Sequence, residues 1–192
     1  MLKFLITSLA RRKILRYFFV GGENFSPHIR KIVKENDLEI NAVRRELKNL
    51  EDAKILILQK RGNRVHYFLN SKHRLYYDLA SLVAKEEGLF ASIYKNRKKL
   101  GKVLFGVGSL NFFLKQVANK DDLAVLVVGD VYPLVLEAII KKYEKKENLE
   151  VNYMLVSESE FNLLRTRNDE LLNKLLMSAR CVFLGNQKKF LY

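Results

Sequence analysis

The sequence predicts a two-domain chain of mixed class, α+β passing into α/β, with helices and a basic β-hairpin first and a strand-and-helix domain after them. Three observations predict it. At 192 residues, 48% hydrophobic and 29% charged, the chain is long enough for one large core or two small ones. Its net charge of +14 is uneven: residues 1–100 hold 22 Lys and Arg against 10 Asp and Glu, a net +12, while residues 101–192 hold 13 against 11, a net +2. Helical apolar spacing dominates before the hairpin, and strand-like apolar runs alternate with helical ones from about residue 102.

Composition also narrows the function. One cysteine, Cys181, cannot form an internal disulfide, and three scattered histidines, His28, His66 and His73, argue against a Cys/His zinc site. The N-terminal run MLKFLITSLARRKILRYFFV is interrupted by Arg11, Arg12, Lys13 and Arg16. It falls short of the ~18 apolar residues that a membrane span needs. Membrane insertion is therefore not expected, and the cytoplasm of a prokaryote-like cell is the expected location. A basic half joined to a near-neutral half suits nucleic-acid binding, although a basic protein without a polyanion partner has the same balance.

Residues 3–20 read as one helix, in which Phe4, Leu5, Leu9, Lys13 and Arg16 alternate with apolar positions at helical spacing, Leu15, Phe18 and Phe19 thicken the inner face and Gly21-Gly22 is the stop. Ser26-Pro27 is a good start for a second helix, reaching about Glu35 with Ile29, Ile32 and Val33 inward. A third helix is expected over 40–53. Its apolar stripe is Val43, Leu47 and Leu50, and Asn41, Arg44, Arg45 and Lys48 share another face at i, i+3, i+4 and i+7. Arg and Asn side chains can pair with guanine and adenine edges in a major groove, and Lys48 suits a phosphate. An ordinary solvated face carries the same residues.

A hairpin follows: ILILQKR, the two-residue link Gly62-Asn63, then RVHYFLN, with Val65, Tyr67 and Leu69 alternating. Lys60, Arg61 and Arg64 cluster at its tip. Helix, helix, basic-faced helix and basic-tipped hairpin is the order of a winged helix-turn-helix, which sets one helix in a groove and the wing on the backbone. Residues 73–99 read as one long helix with a seam of Leu75, Leu79, Leu82 and Val83, continued by Leu89, Phe90 and Ile93, with Gly88 as a kink or an end.

In the second half, strands are expected at 102–107, 123–128, 149–157 and 181–185. Helices are expected at 131–146 and 158–178. No GxxxxGK[ST] or GxGxxG loop occurs. Cys181, in the apolar run CVFL, reads as a buried thiol.

The segment INAVRRELKNLEDAKILILQKRGNRVHYFLN resembles the ArsR-like winged-helix regulators of bacteria and archaea, over about residues 9–80. The resemblance implies double-stranded DNA as partner, Asn41, Arg44 and Arg45 as base readers, and Lys48, Lys60, Arg61 and Arg64 on the backbone. It also implies a helix after the wing that joins two subunits, although a linker helix packed on the second domain is an equal reading. One departure is Glu39, where such helices start with Ser or Thr.

The run VLFGVGSLNFFLKQVANKDDLAVLVVGDV resembles the nucleotidyltransferase-like fold of the DNA polymerase beta superfamily. That family places Gly-Ser after one strand, Asp-x-Asp at the start of the next and a third acid on a later strand, to hold two Mg²⁺ ions. Here Gly108-Ser109 matches the turn and Asp122 the first carboxylate. Ala124 stands at the second acid and Asn152 near the third. Asp121 would face the other side of a strand, and Asp130 lies roughly 20 Å along it. The match implies the fold without the reaction: no catalytic residues, no metal and no cofactor.

The expected organisation is a winged helix-turn-helix at 1–72, a linker or dimerisation helix at 73–100 and a catalytically inactive, nucleotidyltransferase-like mixed-sheet domain at 101–192. The expected function is sequence-specific DNA-binding transcription regulation by a homodimer, the second domain serving assembly or sensing a small-molecule or nucleotide effector. The alternatives are an active nucleotidyltransferase acting on RNA or protein, and a toxin–antitoxin component.

Overall fold

The computed structural model describes residues 2–116 and 122–186. It is a mixed α+β chain of two compact units, Met1–Glu86 with Leu114–Gln116, and Glu87–Phe113 with Val117–Tyr192. By sequence the first unit holds 19 Lys and Arg against 9 Asp and Glu, a net +10, and the second 16 against 12, a net +4. The basic excess stays with the first unit, but the cations between Lys95 and Lys99 belong to the second.

The first unit contains α1 (Leu2–Leu5), α2 (Leu9–Gly21), α3 (Ile29–Asn36), α4 (Ile40–Asp52), the hairpin β1 (Leu56–Arg61) and β2 (Arg64–Leu69), and α5 (Tyr76–Ala84). Its core is built from Ile14, Leu15, Phe18 and Phe19 of α2, Ile32 of α3, and Val43, Leu47 and Leu50 of α4, with Leu56, Tyr67 and Leu69 closing the hairpin base. The helix expected over 3–20 is two. Ser8 caps α2 by accepting the Arg11 N–H, and Arg12 donates to the carbonyls of Ile6 and Thr7, so these groups leave the helical ladder. Phe4, Leu5 and Leu9 are exposed, whereas Leu15, Phe18 and Phe19, expected on the inner face, are buried.

The second helix starts later than Ser26-Pro27 suggests, with His28 as its cap. The reason is pairing: Tyr67 N–H donates to the Pro27 carbonyl at 3.1 Å, His66 donates from Nδ1 to the Ser26 carbonyl at 2.7 Å, and His28 bridges His66 in antiparallel sense. Backbone committed to β2 cannot also begin a helix.

The long helix expected over 73–99 is also two, α5 and α6 (Gly88–Lys95), and they fall in different units. Gly88 takes φ +72, a left-handed value that glycine tolerates and that ends helical phase. The buried face of α5 is Tyr76, Ala80, Val83 and Ala84, whereas Leu75 is exposed and Leu79 and Leu82 are half-buried. Leu75 sits at the cap position, so the phase is set one residue later than the leucine seam suggests.

After α6 and a 3-10 turn at Arg97–Lys99, the second unit continues with β3 (Gly101–Ser109), α7 (Leu110–Phe113), β4 (Val125–Val131), α8 (Pro133–Glu147), β5 (Tyr153–Val156), α9 (Glu158–Thr166), α10 (Glu170–Met177) and β6 (Arg180–Gly185). The sheet order is β5-β4-β3-β6. β3 is antiparallel to both its neighbours, and β4 and β5 are parallel, joined through α8. Mixed pairing agrees with the expected mixed sheet. Val125–Val128 of β4 are fully buried, as their unbroken apolar run requires of a central strand. Phe105, Val107, Leu126 and Val128 meet Phe161 of α9 and Leu172 and Leu175 of α10 in one core cluster. The helix expected at 158–178 is divided by Asn168, at φ 53, and by Asp169, which caps α10 through the Leu172 N–H at 2.9 Å.

Candidate functional site

The α4 face forms as its spacing requires. Val43 and Leu47 are fully buried, and Asn41, Arg44, Arg45 and Lys48 are all exposed on the other side. Among the described residues, none of these three cations is in an ion pair. The helix starts on Glu39, whose two carboxylate oxygens accept the N–H groups of Asn41 at 2.8 Å and Ala42 at 2.7 Å. Glu39 thus does the work expected of Ser or Thr. The Asn41 bond first, the Ala42 bond next, then Arg45 and Arg44 together outweigh desolvation and hold its carboxyl below the usual range.

Glu46, on the same helix, escaped the sequence reading. It is buried at 4% exposure, accepting Ser8 Oγ at 2.7 Å and Arg11 Nε at 2.8 Å. Burial raises its pKa, but the bonds from Ser8 and Arg11 and the Arg11 charge bring it below the ordinary value. The sequence signal was available: Glu46 lies three residues after Val43 and next to Leu47, inside the apolar stripe.

The hairpin is as expected. Gly62 takes φ +56 at the first loop position, and nothing would lie within 4 Å of a Cβ there, so the tip stands clear. Arg61 and Arg64 face each other across the register, and Lys60 faces Val65. Arg61 also lies 5.1 Å over the Phe68 ring and donates to Gln59. Beside the tip, a groove of about 370 Å³ runs between the start of α3 and the loop, lined by His28, Arg30, Asn63 and Arg64 among others. Of these only Arg64 is among the DNA contacts expected from the sequence.

In the second unit the Gly-Ser pair forms no turn. Gly108 lies inside β3, opposite Val125 on one side and Cys181 on the other, and the Phe90 ring covers it. Ser109 is buried, its N–H given to the Ala124 carbonyl at 2.9 Å, its Oγ accepting from Phe112. Backbone N–H groups bonded in this way do not offer a phosphate cradle. Asp122 precedes β4 and is ion-paired with Lys174 of α10. Ala124 is buried and donates its N–H to the Asn152 carbonyl at 2.8 Å. Asp121 lies outside the described residues. Among the described residues no three His, Cys, Asp or Glu side chains gather as metal ligands. Cys181 is buried in β6.

A second, larger groove of about 910 Å³ opens at the carboxyl ends of β4 and β5, with Lys102, Asp130, Ser157, Ser159 and Asn162 on its walls. It is the far end of the strand from Asp122.

The architecture defines the chain as a two-unit α+β protein. No family model matches it, and neither a curated protein nor a solved structure is significantly similar to it. Among the described residues no helix is long and apolar enough to cross a membrane.

Proposed function

We propose that the chain is a sequence-specific, double-stranded-DNA-binding transcription regulator whose first unit acts as a winged helix-turn-helix. One observation carries the reading: α4 exposes Asn41, Arg44, Arg45 and Lys48 on a single face, and among the described residues none of its three cations is in an ion pair. The hairpin that follows in sequence, with Lys60, Arg61 and Arg64 at its tip, supports it. In this reading α4 is the recognition helix and enters the major groove, and the hairpin lies on adjacent phosphates. The protein acts as a homodimer, so that two α4 helices meet successive turns of a palindromic site.

The second unit is a nucleotidyltransferase-like fold that serves assembly or effector sensing. Phe90 over Gly108 and the Asp122–Lys174 pair favour a non-catalytic role, and the groove at the ends of β4 and β5 is where an effector fits. Selection of bound duplexes from a random pool tests the reading. A recovered palindrome is expected; recovery of no motif would sink it. Nucleotide transfer with Mg²⁺ or Mn²⁺ that disappears in Asp122→Ala would replace it with the enzymatic alternative.

A further inference from the structure

We propose that the groove between the first turn of α3 and the hairpin tip binds a phosphodiester of the DNA backbone, and that His28 takes up a proton when it is filled. The inference rests on the DNA-binding reading above. The charged side chains lining the groove are cationic: Arg30 from α3 and Arg64 from β2, both exposed and, among the described residues, without a carboxylate partner. Asn63 adds an amide from the loop. Guanidinium groups on two elements facing one cleft suit the paired non-bridging oxygens of a phosphodiester.

His28 is the group in this wall whose charge can change. Its Nδ1 accepts the Lys31 N–H at 3.3 Å, a long bond, and its ring meets that of His66 edge-on with centroids 5.9 Å apart. His66 is itself held by donation from Nδ1 to the Ser26 carbonyl. The groups that act on His28 are Arg64 and His66 from β2, and Lys31 and Arg30 from its own helix. Desolvation first, then these neighbours, lower its pKa and favour the neutral imidazole in the free protein.

A phosphodiester in the groove reverses that field. It offsets Arg64 and Arg30 and accepts from an imidazolium. What the proton displaces is the cap bond to Lys31, which at 3.3 Å is the weaker contact. Occupancy and protonation therefore favour each other, and affinity rises as pH falls from the bound to the free pKa of His28.

The test is anisotropy of a labelled duplex with the full chain at constant ionic strength, from about pH 8 to about pH 6, where histidine titrates. The comparison is His28→Asn, which keeps a side-chain oxygen to cap α3 and cannot titrate. Wild-type affinity is expected to rise about three- to tenfold more than that of His28→Asn, one proton permitting at most about tenfold per pH unit. Arg30→Ala, an exposed change outside the α4 face, is expected to weaken binding several-fold at every pH. Equal pH responses in wild type and His28→Asn, or unchanged affinity in Arg30→Ala, overturn this proposal while leaving the DNA-binding reading intact. Absence of binding by the wild type at every pH overturns both.

Discussion

Glu46 of α4 and Arg11 of α2 meet Oε2 to Nε at 2.8 Å, with the carboxylate side chain 6% exposed and the guanidinium side chain 41%. The pair joins the helix that carries the cationic face to the helix that forms the centre of the first unit's core. Because Arg11 keeps water on one side, nearly all the dependence lies with the buried acid.

Replacing Glu46 with Gln is expected to destabilise the protein by about 1–2 kcal/mol, and with Ala by roughly 2–3 kcal/mol, through loss of charge-assisted bonds to Ser8 and Arg11. The folded pKa of Glu46 is lowered, so its contribution is present above the ordinary carboxylate range and lost as pH falls through the lowered value. Urea unfolding of wild type and Glu46→Gln should differ at neutral pH and converge in acid. Equal stability at neutral pH would count against the account.

Arg44→Ala with Arg45→Ala is expected to abolish sequence-selective binding at moderate salt, since each bidentate base contact contributes about 1–3 kcal/mol of discrimination. Lys60→Ala should instead weaken all duplexes alike and reduce the salt slope by about 0.9, the value for one phosphate. Gel-shift titrations over a salt series separate the two behaviours. Unchanged operator affinity in the double variant would remove α4 from the interface.

Glu39 caps α4 with a carboxylate beside the proposed DNA backbone. Glu39→Ser keeps a cap and removes the charge; it should melt close to wild type and bind DNA more tightly. Glu39→Ala loses the cap and should cost about 1 kcal/mol. Melting curves and duplex titrations on the same preparations check both, and weaker binding by the Ser variant would contradict the placement.

A methyl group at Gly108 would collide with the Phe90 ring. Gly108→Ala is expected to destabilise by about 1–3 kcal/mol, the usual range for overpacking. Phe90→Leu in the same chain should recover part of the loss. Thermal melts of the single and double variants would show it, and additive losses would mean that the ring is not what fills the space.

Much of this was legible where one physical signal acted alone. The α4 stripe, the Gly62 turn and the Val125–Val128 run each depend on local period or local backbone freedom. Breaks were misread where a side chain competed with the ladder. Ser8 and Asp169 each divide an apolar pattern that continues across them, and the pattern does not register a cap. His28 displaced Ser26 because the preceding backbone pairs with β2, a contact spanning about forty residues that no local spacing reveals. Glu46 was overlooked because a carboxylate in an apolar stripe declares itself only once Arg11 is seen beside it. At Gly108-Ser109 the residues matched a motif, but the aromatic ring that covers the first of them comes from α6.

The segment Leu114–Gln116 belongs with the first unit, although α6, β3 and α7 of the second precede it in the chain. Leu114 is fully buried, and its carbonyl takes the Glu23 N–H at 2.9 Å. During N-to-C synthesis the first unit therefore lacks a piece until residue 116 has emerged, by which time the stretches of chain that become α6, β3 and α7 have already been made. The units are interleaved in time, and a fragment ending at Glu86 would be an unfinished fold, not an isolated domain.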